Sequence, residues 1–225
     1  MNKEGFIIID KPKGITSFGV VAILRKITGI KKIGHCGTLD PLATGVLVCA
    51  IGRGATKRID TLIKSDKEYI ADIELGKISD TYDIEGNVKS IEIKNKPKKK
   101  DIGIVLKKFI GEIDQIPPIF SAKKVNGKKA YDLARKGIHV EMKKNKVNIY
   151  KIILISYKFP HIKIKINCGS GTYIRSLAND VGEELKTGGI ITELRRTKVG
   201  FFNLKKSISL EKLNEKNIYK KVFDL

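Results

Sequence analysis

The chain has 225 residues, enough to bury one well-filled core, and its 45 Lys and Arg against 24 Asp and Glu give a formal charge of +21. A field of that sign draws polyanions, nucleic acid foremost. Cys36, Cys49 and Cys168 are scattered, with no C-x-x-C pair and no histidine cluster, which excludes a zinc site and reads as reduced thiols. No apolar stretch reaches the length of a signal peptide core or a membrane span, so a cytoplasmic protein is expected.

Residues 6–9 read as a strand and residues 11–17 as a turn ending in an N-cap. Val20, Ile23, Leu24 and Ile27 then share one helical face, and Gly29 stops the helix. Residues 34–47 run Gly-His-Cys-Gly-Thr-Leu-Asp-Pro-Leu-Ala-Thr-Gly-Val-Leu. Gly34, Gly37 and Gly45 permit positive φ and Pro41 fixes its own φ, so this is a loop of specific irregular shape that presents Asp40. It leads into the continuous apolar run 46–51, which reads as a buried strand. A carboxylate on a loop held by a core element is placed as functional groups are placed, while Asp before Pro is also a common turn initiator, and the residues leave both readings open. Cys36 adjoins His35, but neighbours in an extended loop point apart, which speaks against a Cys/His nucleophile. Residues 52–57 lack the spacing of a nucleoside triphosphate loop. Ile59, Leu62 and Ile63 fit a further helix.

Residues 67–75 alternate, with Tyr69, Ala71, Ile73 and Leu75 on the buried face of a strand. Residues 76–91 read as a loop whose Asp80, Asp83 and Glu85 are solvated, since they complete no Ca²⁺ template. A charged linker at 94–100 precedes a short helix with Val105, Leu106, Phe109 and Ile110. Within 115–137, Pro117, Pro118 and an Asn126-Gly127 turn in a lysine-rich stretch predict a protruding hairpin suited to clamping RNA. Strands are expected at 147–157 and 161–168, the second with Ile162, Ile164, Ile166 and Cys168 inward and His161 at the surface. A Gly-rich turn leads into a helix carrying Leu177, Val181 and Leu185, which places Arg175 at a strand-to-helix joint, and Gly188-Gly189 ends it. A short amphipathic segment with Leu210, Leu213 and Ile218 follows. No internal repeat is present.

Several separated patches, in order, resemble the TruB family of tRNA pseudouridine synthases. His35, Gly37, Thr38, Leu39, Asp40, Pro41, Gly45 and Val46 match the family's catalytic loop, and residues 11–17 are similar to its Lys-Pro-x-Gly-x-Thr-Ser opening. Lys67 and Tyr69 match its Lys-x-Tyr, residues 115–135 its Gln-x-Pro-Pro segment that closes over the substrate arm, and residues 170–175 its Ser-Gly-Thr-Tyr-Ile-Arg. Leu194 lies in a stretch similar to a strand whose leucine touches the flipped base.

The resemblance implies an α/β (α+β) pseudouridine synthase fold, with a mixed, mostly antiparallel central sheet flanked by helices. One catalytic domain would cover 1–225, with residues 115–137 as an RNA-clamping insertion. The implied reaction isomerises uridine 55 in the T loop of tRNA to pseudouridine, after base flipping, by moving the glycosidic bond from N1 to C5. Asp40 would be the catalytic carboxylate, Arg175 its paired cation and Tyr69 the ring stacked on the base. Tyr173 and Leu194 would close the pocket, His35 would enter the space vacated in the RNA loop, and Lys57 would contact RNA. The reaction has no net redox or hydrolysis, so no metal, nucleotide or other cofactor is expected. The implied partner is the T arm of tRNA, with no membrane and with the chain as a monomer. Many family members carry a C-terminal PUA-type domain, and the roughly 25 residues after the strand of Leu194, Arg195 and Arg196 are too few for one. The reading from another class is a non-catalytic RNA chaperone or scaffold that holds the tRNA elbow.

Overall fold

The alternating and continuous apolar runs form strands throughout a computed structural model that describes residues 4–125, 127–138 and 140–224. Two units are distinguished, residues 1–69 with 194–225 and residues 70–193. The first opens with β1 (Gly5–Lys11), α1 (Ser17–Thr28), β2 (Ile33–His35), β3 (Thr44–Ile51), α2 (Arg53–Thr56) and α3 (Ile59–Ile63), and the chain leaves it within β4 (Lys67–Leu75). The second continues with β5 (Lys77–Ile78), β6 (Lys89–Ser90), α4 (Lys99–Lys108), β7 (Gly111–Gln115), β8 (Lys124–Val125) and β9 (Lys128–Lys129). It then holds α5 (Ala130–Ala134), β10 (Asn145–Lys158), β11 (His161–Cys168) and α6 (Ile174–Glu184). The chain returns to the first unit within β12 (Gly189–Val199) and finishes it with β13 (Phe202–Asn203), β14 (Ile208–Ser209) and α7 (Ile218–Lys221).

In the first unit the strand order is β14-β1-β3-β12-β4, with β2 on β3 and β13 on β12; in the second it is β12-β4-β11-β10-β7. The pairing is mixed and mostly antiparallel, as expected. β1 runs antiparallel to β3 from Gly5↔Ile51 to Lys11↔Gly45, whereas β12 meets β3 in parallel at Arg195↔Thr44 and Arg196↔Gly45. β3 reads as a continuous apolar run because it is buried on both faces, with Val46 to Ile51 inaccessible to water. One of those faces packs Val46, Val48 and Ala50 with Phe6, Ile8, Val199 and Phe202. In the second unit β11 buries Ile162, Ile164, Ile166 and Cys168, and β4 buries Ala71, Ile73 and Leu75.

α1 begins and ends as the sequence directs: the Thr16 hydroxyl accepts from Gly19 N, and Gly29 takes the left-handed φ of 71°. α6 departs from expectation. It ends at Glu184, four residues before Gly188, and the first left-handed residue after it is Lys186 at φ 58°, with Gly188 following at φ 61°. The glycines serve a close approach instead, since a Cβ on Gly182 would lie 2.2 Å from Gly188 C. β2 and β7 were not expected, because a three-residue strand and the charged, half-exposed Gly-Glu-Ile-Asp-Gln run carry little apolar signal.

Candidate active site

Residues 37–45 leave β2 and return into β3, and a loop of that kind must find partners for its backbone outside the ladder. Three buried side chains supply them. Arg196 on β12, 1% exposed, donates from Nε to Val46 O at 2.8 Å, from Nη2 to Gly37 O at 3.1 Å and from Nη1 to Thr38 O at 3.4 Å. One guanidinium thereby ties the start of the loop to its end. Ser17 in the first turn of α1 donates from Oγ to Leu39 O at 2.9 Å and accepts from Leu39 N at 2.8 Å. Lys11 at the end of β1, inaccessible to water, donates to Ile15 O at 2.7 Å, Pro12 O at 2.9 Å and Pro41 O at 3.2 Å. Ala43 N donates to Asp40 O at 3.1 Å, closing a turn across Pro41. At Gly45, φ 102°, a Cβ would sit 2.2 Å from Arg196 O, so only glycine lets the loop close onto β12. Asp40 is half-buried on this fixed backbone.

In the second unit Arg175 occupies the first turn of α6 and is 4% exposed. Its Nη1 donates to Thr81 O at 2.7 Å and its Nη2 to Phe120 O at 2.9 Å, while Nε lies 3.6 Å from Asp83 Oδ2. Asp83 corrects the sequence reading, for it is 3% exposed rather than solvated. It accepts from Thr81 Oγ1 at 2.6 Å and from Glu85 N at 3.0 Å, and it enters the interior because a guanidinium meets it there. Asp80 and Glu85 are exposed as expected. Gln115, also buried, binds the Tyr173 backbone both ways, Tyr173 N to Oε1 at 2.8 Å and Nε2 to Tyr173 O at 3.0 Å. Ser176 Oγ donates to Ile116 O at 2.7 Å. The first residues of the 115–137 segment are thus fixed to the head of α6, and the hairpin proper is β8 with β9, pairing Lys124 with Lys129 and Val125 with Lys128. Asn126, half of its expected turn, lies outside the described residues.

Of the expected site residues, Asp40, His35, Lys57, Tyr69 and Leu194 belong to the first unit, and Tyr173 and Arg175 to the second. His35 is half-buried on β2, opposite Cys49 of β3. Tyr69 and Leu194 are buried on the neighbouring strands β4 and β12. Lys57 is exposed at the end of α2, and Tyr173 is half-buried at the start of α6. All three thiols are buried, and none is in a disulfide among the described residues. Burial pushes Cys36 up to about 12, against the pull of the Arg196 and Lys67 cations, so it is inert as a nucleophile. Among the described residues no three His, Cys, Asp or Glu side chains are grouped to hold a metal, and no helix is long and apolar enough to cross a membrane.

Lys11, Ser17, Arg196 and Gln115 were not singled out from sequence, and Asp83 was read only as a solvated acid. One signal was present for Arg196. Two adjacent arginines on a strand point to opposite faces, so either Arg195 or Arg196 had to face inward.

The model of the TruB family pseudouridylate synthase N-terminal domain matches residues 25–174, and that of the tRNA pseudouridylate synthase B C-terminal domain matches residues 175–224. The tRNA pseudouridine synthase B of Clostridium tetani is 49% identical over 215 residues, 96% of this chain and 74% of that protein. Its counterpart in Protochlamydia amoebophila is 48% identical over 206 residues, 92% and 78% of the two chains. Among solved structures, a Cbf5-Nop10-Gar1 complex matches with a TM-score of 0.75 and 31% identity over 96% of this chain and 56% of that one. An H/ACA RNP bound to a substrate RNA containing 2′-deoxyuridine matches with a TM-score of 0.71 and 29% identity, over 96% and 54%. This chain spans just over half the length of those solved chains.

Proposed function

The chain belongs to the TruB family of pseudouridylate synthases, and from that premise we propose that it isomerises uridine 55 in the T loop of tRNA to pseudouridine, with Asp40 as the catalytic carboxylate. The observation that carries the reading is the clamp on residues 37–45. Three buried side chains from three different elements hold the backbone around one half-buried carboxylate, and such pre-organisation is what a reacting group needs. The names of the bacterial relatives support tRNA as the substrate.

The reaction breaks the glycosidic bond at N1 and remakes it at C5 of the same base, C5 giving up its hydrogen as a proton and N1 taking one up, so it consumes neither electrons nor water. Asp40 acts as the nucleophile, and a covalent adduct splits one difficult step into easier ones. The uridine reaches it by flipping out of the T loop. In this proposal Tyr69 stacks on the base, Arg175 is the cation paired with Asp40, Leu194 and Tyr173 border the base, and His35 replaces lost stacking within the RNA. Lys57 meets the backbone of the T arm.

Tritium release from tRNA carrying 5-³H-uridine tests the assignment. Asp40→Asn is expected to retain tRNA in a filter-binding assay and to lose turnover by at least roughly four orders of magnitude. Ordinary turnover by that variant overturns the role of Asp40. Absence of tritium release by the wild-type chain, with tRNA binding intact, points instead to an RNA chaperone.

A further inference from the structure

A cavity of about 580 Å³ opens in the first unit, walled by Arg25 of α1, Lys32 and Gly34 around the start of β2, and Arg53, Lys57 and Asp60 from α2 and α3. Four cations face it against one carboxylate. A chain of charge +21 shows basic side chains on most of its surface, so charge count alone means little. Three features separate this cavity from a solvated basic face. It is concave. None of the four cations forms an ion pair among the described residues. And the guanidinium of Arg25 is pre-oriented: it lies 5.4 Å over the Phe18 ring and donates from Nη2 to Ile33 O at 3.2 Å, while its Nε is buried with no hydrogen-bond partner among the described residues. A planar fork held on two sides, with N–H groups to spare, is built for a bidentate oxyanion.

Besides Asp60 in the wall, a second acid lies close by and is already engaged. Glu4 accepts from the backbone, Arg53 N at 3.2 Å and Gly54 N at 2.8 Å, so it satisfies the turn into α2 and not the Arg53 side chain. The cavity wall also fixes what lies beside it, because Gly34 immediately precedes His35 and the loop of Asp40. An anion bound here sits next to the strand that delivers the proposed site.

We propose that this cavity binds one backbone phosphate of the RNA substrate, with Arg25 and Arg53 as its principal ligands. The inference rests on the RNA-modifying reading and adds to it a phosphate subsite that sets the register of the RNA without reading its sequence. Occupancy raises affinity in ground state and transition state alike, so it belongs in KM and not in kcat.

Arg53→Met is an exposed change that leaves the fold intact, and Arg25→Met removes the oriented fork; both are compared singly and together with wild-type chain, with melting curves as the folding control. Filter-binding to tRNA is expected to weaken roughly tenfold in the double variant, with the slope of log K against log salt shallower by about one and kcat at saturating tRNA unchanged. A set of T-arm RNAs, each with one methylphosphonate linkage, is expected to contain one linkage whose neutralisation costs wild type about as much as the double variant loses, and costs the double variant nothing further. Inorganic phosphate separates the sources: if it raises the melting temperature of wild type but not of the double variant while RNA affinity is unaffected, the cavity is a free-anion site and the proposal fails. An unchanged salt slope, or a variant as sensitive as wild type to every linkage, also overturns it. These readouts are affinities, so a wild-type chain that binds tRNA without forming pseudouridine would refute the catalytic reading alone.

Discussion

Each unit buries one arginine to hold a loop, and the two arginines are satisfied by different chemistry. Arg175 in the second unit faces the Asp83 carboxylate as well as two carbonyl oxygens. Arg196 in the first has three carbonyl oxygens and, among the described residues, no carboxylate. Removing a guanidinium from water costs several kcal/mol, and carbonyl dipoles offset that without cancelling the charge. The first unit therefore keeps net positive charge under residues 37–45, and the field is felt nearby, since Arg196 pulls the Cys36 thiol down against the effect of burial. The second unit sets a carboxylate beside its arginine. The difference separates two uses of a buried cation: a pin for backbone that leaves its charge to act on the surroundings, and a side chain whose position is set by a matched acid.

Breaking the pin has the largest expected effect. Arg196→Met removes three charge-assisted hydrogen bonds, strands the Val46 carbonyl in the interior and releases those of Gly37 and Thr38, which is expected to cost about 3–5 kcal/mol. For a chain of this size that lowers Tm by roughly 10 °C in calorimetry and abolishes turnover with the loop. Arg196→Lys restores part of the stability, because one ammonium cannot span both ends of the loop. A melting temperature within 2 °C of wild type would show that the loop holds its own shape. Asp83→Asn comes next, for it converts the second arginine to the arrangement of the first, with dipoles and no carboxylate. About 2 kcal/mol is expected, roughly 5 °C in Tm, since the amide still accepts from Thr81 and Glu85. If Asp83→Asn costs more than Arg196→Met, the matched acid is what makes burial of Arg175 tolerable.

Little of this chemistry could be read before the fold was known, although the fold itself was largely legible. β3, β4 and β11 were visible because apolar runs and alternation report burial directly, and α1 because its cap and stop residues act locally. The loop that presents Asp40 was visible in its glycines and proline. What holds that loop was not, because Lys11, Ser17 and Arg196 are polar residues buried by contacts made 22 to 159 positions away in sequence. Asp83 was misread for the same reason: spacing within residues 76–91 carries no trace of a guanidinium 92 positions along. Local rules describe elements, and a buried charge is decided by its distant partner.

Ser17→Ala tests the pin on its other side. The hydroxyl is bonded to both the N–H and the carbonyl of Leu39, so the variant leaves a buried donor and acceptor exposed to each other's loss, and about 1–2 kcal/mol is expected. Urea unfolding measures it, with an unchanged slope showing that only stability moved. Turnover is expected to fall more than this stability loss would suggest, because Leu39 adjoins Asp40; full activity would show that Arg196 and Lys11 suffice.

The smallest effect concerns a half-buried carboxyl of the second unit. On α6, burial pushes the Asp180 carboxyl up from 3.8 to about 6, Glu183 adds to the rise, and a hydrogen bond from Asn179 opposes it. The folded state therefore holds a proton that the unfolded chain releases, and the ionised form is the disfavoured one. Stability from this group is present below about pH 4 and is lost as pH rises through 6. Asp180→Asn mimics the protonated acid, so it is expected to melt with wild type at pH 4 and above it at pH 7 and higher. Because part of the carboxyl still meets water, the gain is about 1 kcal/mol, some 2–4 °C. A variant that melts below wild type at pH 7 would mean that the ionised Asp180 is matched by a cation, and the second unit would then neutralise every buried charge it carries.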